Sequence, residues 1–307
     1  MEFKGRDIIS IYDFSKQELL SILKISKQIQ SNPSKYSNLL KGKIMAAMFF
    51  EPSTRTRLSF SSAMNQLGGD VIGFSNLNVT SVQKGESLWD TVKMTEQYSD
   101  VIVIRHPLEG SSRLAAEASN VPVINGGDGS NQHPTQTMLD LFTIHESKGK
   151  LENLHVGFLG DLKYGRTVHS LVVALSHFNP TFYFIAPEGL KMPEHYLLEL
   201  KQKGIRYYEA ANLEPTITRL DVLYVTRIQK ERFAEPLEYQ KYKGVYKIDM
   251  EALKNVKDEL KIMHPLPRVD EISKEVDNTN HAIYFQQASN GIPVRKAILS
   301  LVLGKIK

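Results

Sequence analysis

The sequence predicts an α/β protein of two domains, each a parallel-rich sheet flanked by helices, with a ligand site in the cleft between them. Three observations predict it. Apolar runs of strand length alternate with segments of helical periodicity along the chain. The alternation restarts after a long helical stretch. Six polar loops, most of them carrying arginine, follow expected strands, where open parallel sheets bind ligands.

Ser15-Lys16-Gln17-Glu18 is a capping box that opens an amphipathic helix through Leu19, Leu20, Ile22, Leu23 and Ile25. Strands are expected at Ile44 to Phe50, Val71 to Phe74, Val101 to Arg105 and Val121 to Asn125. Helical patterns separate them: Phe60, Ala63, Met64 and Leu67, then Ser87 to Gln97, then Arg113 to Ala118. Asn125 to Asn131, with three glycines, reads as the most flexible stretch. A helix follows with Pro134 near its first position and an apolar stripe of Met138, Leu139, Leu141, Phe142 and Ile144. The second series of strands is expected at Leu154 to Leu159, Thr181 to Ala186, Ile205 to Tyr208, Val222 to Thr226 and Lys261 to His264. The domains are set at 1–132 and 133–290. A last helix of about Gly291 to Leu303, apolar on one face, is expected to return to the first domain through residues 291–307.

A chain of 307 residues is long for one core, which favours two domains. Hydrophobic content of 41% and charged content of 23% exclude a disordered chain. A net charge of +4 from scattered lysines, with no basic block, argues against a nucleic-acid partner. The absence of cysteine excludes disulfides, thiolate metal sites and a cysteine nucleophile. No histidine pair has metal-ligand spacing, and neither a metal nor an organic cofactor is expected. No apolar run reaches membrane-spanning length and the start lacks a signal-peptide core, so a cytoplasmic protein is expected.

Glu51-Pro52-Ser53-Thr54-Arg55-Thr56-Arg57 carries the strongest signal. Basic residues at a helix N-terminus oppose the macrodipole unless an anion is bound there. Free N–H groups, hydroxyls and an arginine then converge on it, which makes a phosphate cradle. Read alone, the same residues also fit a Ser/Thr-capped helix with solvent-facing arginines. The other loops are Arg105-His106-Pro107, His133-Pro134-Thr135-Gln136, Gly160 to Arg166, Thr226 to Arg232, and His264-Pro265-Leu266-Pro267-Arg268. Lysine outnumbers arginine overall, yet these loops favour arginine. Its planar fork suits bidentate recognition of phosphate and carboxylate, so the substrates should be strongly anionic. Gly157-Phe158-Leu159-Gly160-Asp161 is a competing signal for a dinucleotide turn. The next glycine is Gly165, which breaks the G-x-G-x-x-G spacing and leaves a nicotinamide-dependent dehydrogenase the weaker alternative. A non-catalytic phosphometabolite-binding module would need the cradle but not Arg227, Gln229 and the His264 loop.

Ser53 to Arg57, followed by His133-Pro134-Thr135-Gln136, resembles the transcarbamoylase family, and the resemblance runs essentially end to end. Arg227-Ile228-Gln229 and His264 to Arg268 are similar to its aspartate-using members; the ornithine-using members carry a cysteine in the latter loop. The chemistry agrees, because aspartate brings two carboxylates and Arg166, Arg227 and Gln229 are there to receive them.

The resemblance implies transfer of the carbamoyl group of carbamoyl phosphate to the α-amine of L-aspartate, a step of de novo pyrimidine biosynthesis. It implies that Ser53, Thr54, Arg55 and Thr56 hold the phosphate and that Arg105 bridges phosphate and carbonyl oxygen. His133 and Thr56 would polarise that carbonyl. Gln136 and the backbone at Leu266 and Pro267 would hold the carbamoyl nitrogen. Arg166, Arg227 and Gln229 would orient aspartate. Ser81 and Lys84 match a loop that the family donates to a neighbouring subunit, which implies a homotrimer with shared sites and adds Lys84 to the catalytic groups Arg55, Thr56, Arg105 and His133. Glu51 would pair with Arg166 and Arg232 on closure. A regulatory chain is left open, as is the role of Arg57 as ion-pair partner or ligand contact. Leu266-Pro267 is a candidate cis peptide.

Overall fold

The computed structural model describes residues 3–75, 81–228, 239–242 and 244–306. Among the described residues the α-helices are, in chain order, α1 (Lys16–Ser31), α2 (Thr54–Gln66), α3 (Leu88–Thr95), α4 (Ser111–Ala118), α5 (Pro134–Lys148), α6 (Arg166–Leu175), α7 (Glu194–Gln202), α8 (Glu214–Ile217) and α9 (Tyr284–Val302). The strands are β1 (Ile44–Phe49), β2 (Asp70–Phe74), β3 (Val101–His106), β4 (Val123–Asp128), β5 (His155–Leu159), β6 (Thr181–Ile185), β7 (Arg206–Ala210), β8 (Val222–Val225) and β9 (Lys261–Met263). They form two sheets of order β2-β1-β3-β4 and β7-β6-β5-β8-β9. Every pairing between these strands is parallel.

The sequence explains this choice. Strands such as Val101 to Ile104 and Thr181 to Ile185 are unbroken buried runs, as a sheet covered on both faces demands. The edge strands β2 and β7 are more exposed and carry the charged residues Asp70, Arg206 and Glu209. α1 begins at the capping box: Ser15 Oγ accepts from the N–H of Glu18, and the Glu18 carboxylate accepts from the N–H of Ser15 at 2.8 Å.

The chain divides into two compact units, Met1–Phe142 with Asn290–Lys307, and Thr143–Ser289. One division falls inside α5 and the other inside α9. In the first unit Met48, Ile102, Ile104 and Val123 pack together. In the second, Leu159, Ile185, Leu223, Val225 and Ile262 do the same. Each such side chain contributes about 2 kcal/mol when fully buried.

Two expectations need correction. Asn125 to Asn131 is not loose: Val123–Asp128 is a fully buried strand. The Asn125 amide donates to Ile9 O and to Asp128 Oδ1, and its Oδ1 accepts from Gly127 N at 2.7 Å. Asp128 in turn accepts from Gly110 N and Gln132 N. Buried side chains thus satisfy the backbone that the glycines leave unshielded. The last helix begins at Tyr284, not near Gly291, and passes through Pro293. Gly291 is there for space: a Cβ on it would lie 2.1 Å from Arg295 Nη1.

Gly157 and Gly160 have steric reasons of their own. A Cβ on Gly157 would meet Leu220 Cδ1 at 2.5 Å, and one on Gly160 would meet the Thr226 carbonyl at 2.2 Å. Among the described residues no helix is long and apolar enough to cross a membrane.

Candidate functional site

In the first unit the cradle sits at the start of α2, directly after β1. Ser53 is the N-cap residue, yet its hydroxyl makes no capping bond and the first turn holds no acid. The helix start is therefore uncapped from within and carries Arg55 and Arg57 instead. Thr54, Arg55 and Arg57 are exposed, Ser53 is half-buried and Thr56 is buried.

Parallel pairing sets Arg105 opposite Phe49, and the N–H of Phe50 donates to the Arg105 carbonyl at 2.8 Å. Arg105 Nη1 donates to Gly126 O at 3.2 Å. A Cβ on Gly126 would lie 3.5 Å from Thr56 Cγ2 and 3.6 Å from the Arg105 Cβ. The cradle, Arg105 and the end of β4 therefore meet at one glycine. Glu51 also reaches this place, its Oε1 2.8 Å from Arg105 Nε. Arg105 belongs to the same unit as Glu51, and Arg232 lies outside the described residues.

His133 is buried just before α5, and its carbonyl accepts from the N–H groups of Gln136 and Thr137. Gln136 Nε2 donates to Asp140 Oδ1 at 2.9 Å. Ser81 and Lys84 are exposed on a 3-10 turn, and among the described residues neither is hydrogen-bonded to the cradle.

In the second unit three loops leave adjacent strands, because Leu159 of β5 pairs with Val225 of β8 and Tyr224 of β8 pairs with Met263 of β9. The loop after β5 is pinned to the loop after β8: Asp161 N donates to Thr226 Oγ1 at 3.0 Å. Tyr164 N donates to Asp161 Oδ1 at 2.9 Å, and Arg166 follows as the first residue of α6. His169 Nε2 lies 2.7 Å from the Leu162 carbonyl. Burial pushes its imidazole down to about 4, so the neutral ring donates there.

The His264 loop is built around a buried pair. Leu266 N donates to His264 Nδ1 at 2.8 Å, which leaves Nε2 to carry the proton and donate to Glu271 Oε1 at 2.7 Å. Burial lowers the His264 pKa, against the pull of Glu271. Burial raises Glu271, but the hydrogen bond from His264 and those from the backbone outweigh it and hold its carboxyl below the usual range. Leu266 has φ 56° and the Leu266-Pro267 peptide is cis. Arg227 lines an open cavity with Gly160, Thr226, Tyr239, Tyr246 and Glu271. Gln229 lies outside the described residues, as do Lys230 and Glu231.

Sequence reasoning missed Asp140 and Glu271. The i, i+4 spacing of Gln136 and Asp140 was a usable signal. Glu271 had none, since only the folded loop brings it to His264.

Both units thus carry arginines at the carboxyl ends of their central strands, which defines a parallel α/β protein of two similar halves. A model of the carbamoyl-phosphate-binding domain of aspartate/ornithine carbamoyltransferases matches residues 6–146, and one of their aspartate/ornithine-binding domain matches residues 152–302. The catalytic subunit of aspartate carbamoyltransferase from Thermococcus kodakarensis is 59% identical, with 99% of each chain covered. That from Bacteroides fragilis is 52% identical over 98% of this chain and 97% of its own. The catalytic subunit of M. jannaschii aspartate transcarbamoylase superposes with a TM-score of 0.90 at 53% identity, over 96% of this chain and 97% of its own. Aspartate transcarbamoylase from Trypanosoma cruzi, in complex with carbamoyl phosphate and aspartate, gives 0.93 at 37% identity over 98% of both chains. The chain belongs to the aspartate/ornithine carbamoyltransferase family.

Proposed function

We propose that this chain transfers the carbamoyl group of carbamoyl phosphate to the α-amine of L-aspartate, giving N-carbamoyl-L-aspartate and phosphate in pyrimidine biosynthesis. The observation that carries the reading is the meeting of Thr56, Arg105 and the end of β4 at Gly126, beside an uncapped helix start. Ser53, Thr54, Arg55 and Thr56 bind the phosphate. Arg105 reaches both the phosphate and the carbonyl oxygen, and His133 and Thr56 polarise that carbonyl. Gln136 and the backbone at Leu266 and Pro267 hold the carbamoyl nitrogen. Arg166, Arg227 and Gln229 receive the carboxylates of aspartate.

The neutral α-amine attacks the carbonyl carbon. A C–N bond forms, charge moves to the carbonyl oxygen, and the tetrahedral species collapses by breaking the C–O bond to phosphate. The departing phosphate takes the amine proton, so no side chain has to act as general base. Arg55, Arg105 and His133 stabilise charge where it develops. Positioning two mutually repelling anions supplies much of the remaining rate.

The first domain, 1–132 with residues 291–307, carries the phosphate cradle, and the second, 133–290, carries the residues that receive the carboxylates of aspartate. The assembly is a homotrimer in which Ser81 and Lys84 complete a neighbour's site; Leu58, Ile72 and Trp89, large apolar side chains exposed in the same unit, support a contact there. The relatives' designation as catalytic subunits supports a separate regulatory chain. The test is to give the purified chain carbamoyl phosphate with aspartate or with ornithine. Carbamoyl-aspartate is expected, and product with ornithine only would overturn the assignment.

A further inference from the structure

Leu266 has φ 56°, in the left-handed region that a leucine keeps only when its surroundings hold it there. The backbone at Leu266 and Pro267 is the part of its loop proposed to meet the ligand. Whatever fixes that backbone therefore bears on the chemistry.

Two side chains fix it. The N–H of Leu266 donates to His264 Nδ1 at 2.8 Å, so this ring nitrogen is bare. Nε2 then carries the ring proton and donates to Glu271 Oε1 at 2.7 Å. Glu271 Oε2 accepts from the N–H groups of Val269 and Asp270, each at 3.1 Å. The carboxylate thus receives donors on both oxygens. The N–H of His264 donates to Gln287 Oε1 at 2.8 Å, which ties the residue to α9. His264 and Glu271 are both buried, and burial lowers the His264 pKa, so a neutral ring has one proton to place.

A neutral imidazole has two tautomers, and its neighbours choose between them. An ionised Glu271 only accepts, which draws the proton to Nε2 and leaves Nδ1 bare for Leu266. The other tautomer would set an Nδ1–H against the Leu266 N–H and release the peptide.

We propose that Glu271 and His264 are positioning residues for the transfer reaction: the carboxylate fixes the ring tautomer, and the bare Nδ1 holds the Leu266 peptide in the conformation that serves the ligand. The proposal rests on the carbamoyl-transfer reading and adds two residues that act through Leu266.

The experiment uses three variants of the full-length chain. Glu271→Gln keeps size and shape. Its one amide oxygen goes to the N–H groups of Val269 and Asp270, and its NH2 turns to His264. That ring must then accept at Nε2 and carry its proton on Nδ1. His264→Gln keeps a donor for Glu271 and loses the acceptor for Leu266. His264→Asn does the reverse. Its Oδ1 stands close to the place of Nδ1 and accepts from the N–H two residues on, as asparagine does in turns, while Glu271 loses a buried donor.

In Glu271→Gln and His264→Gln, kcat should fall about 100-fold, the scale of a small misplacement at a reacting centre. In His264→Asn it should fall by less than about fivefold, since the Asx turn keeps Leu266 in place. Urea unfolding should rank the two His264 variants the other way, because asparagine leaves a buried carboxylate short of a partner. Affinity for inorganic phosphate, bound by the cradle of the other unit, should stay within about twofold in all three. Nitrogen NMR of histidine-labelled protein should show His264 protonated on Nε2 in the wild type and on Nδ1 in Glu271→Gln.

Losses in kcat that follow the losses in stability would leave the pair a structural role alone and overturn the proposal. A wild-type His264 protonated on Nδ1 would overturn it as well, and that measurement needs no variant to fold. A wild-type chain that forms no carbamoyl-aspartate would instead overturn the activity, and with it the role of the pair, whichever tautomer the spectra show.

Discussion

Glu51 Oε1 lies 2.8 Å from Arg105 Nε, both side chains largely buried at the end of the first sheet. Arg105 is the residue proposed to meet the phosphate, so the Glu51 carboxylate holds it in place of an anionic ligand. Any phosphate that engages Arg105 must compete with that carboxylate.

The first prediction follows from this competition. Glu51→Gln should bind inorganic phosphate more tightly than wild type, by about fivefold, the scale of one partly exposed ion pair. Calorimetric titration of phosphate into both proteins measures it. Unchanged or weaker affinity would show that the pair does not oppose ligand.

Arg55→Ala should cripple turnover and leave the fold intact, because Arg55 is exposed at the start of α2. Loss of a charged contact to the leaving phosphate should cost about 3 kcal/mol or more in the transition state. Steady-state kinetics alongside circular dichroism separates the two effects, and near-normal kcat would remove Arg55 from the site.

Arg227→Ala should weaken aspartate far more than carbamoyl phosphate. Arg227 lines the cavity of the second unit, whereas the cradle belongs to the first. The two substrates' constants, measured separately, decide this. A larger loss for carbamoyl phosphate would contradict the proposed division of labour.

His169 should make stability fall on acidification. Its folded pKa, about 4, lies below the ordinary 6.5. The unfolded chain therefore binds a proton that the folded chain refuses. The stability is fully present above pH 6.5 and is lost as pH falls toward 4, by up to about 3 kcal/mol. In His169→Gln, which keeps a donor for the Leu162 carbonyl, that part of the slope should vanish. Urea unfolding at a series of pH values from neutral down to about 4 measures it; an unchanged slope would place the titrating group elsewhere.

Mixing tests the shared site. Lys84→Ala and Arg55→Ala chains should each be nearly inactive. Random reassociation puts about one quarter of all sites in the wild-type combination of one chain's Arg55 with its neighbour's Lys84. Activity should recover to roughly that fraction, by the same ring arithmetic. Hybrid trimers seen by mass spectrometry without recovered activity would mean that Lys84 acts within its own chain or outside the site.

The sequence by itself determined the elements and the anionic character of the ligands. Buried apolar runs such as Ile44 to Phe49 and Val222 to Val225 mark strands because both sheet faces are covered, and Ser15 to Glu18 marks a helix start through local hydrogen bonds alone. The candidate residues Arg55, Arg105, Arg166 and Arg227 were legible for a similar reason: they stand at the carboxyl ends of strands or directly after them. Only the tertiary structure decided what depends on residues distant in the chain. It fixed the buried strand at Asn125-Gly126-Gly127, which polar side chains from elsewhere hold in place. It placed both unit divisions inside helices whose periodicity runs on unbroken. It paired Glu51 with Arg105 and set Arg295 against Phe60, contacts that no local propensity encodes because their free energy arises only once packing has brought the groups out of water together.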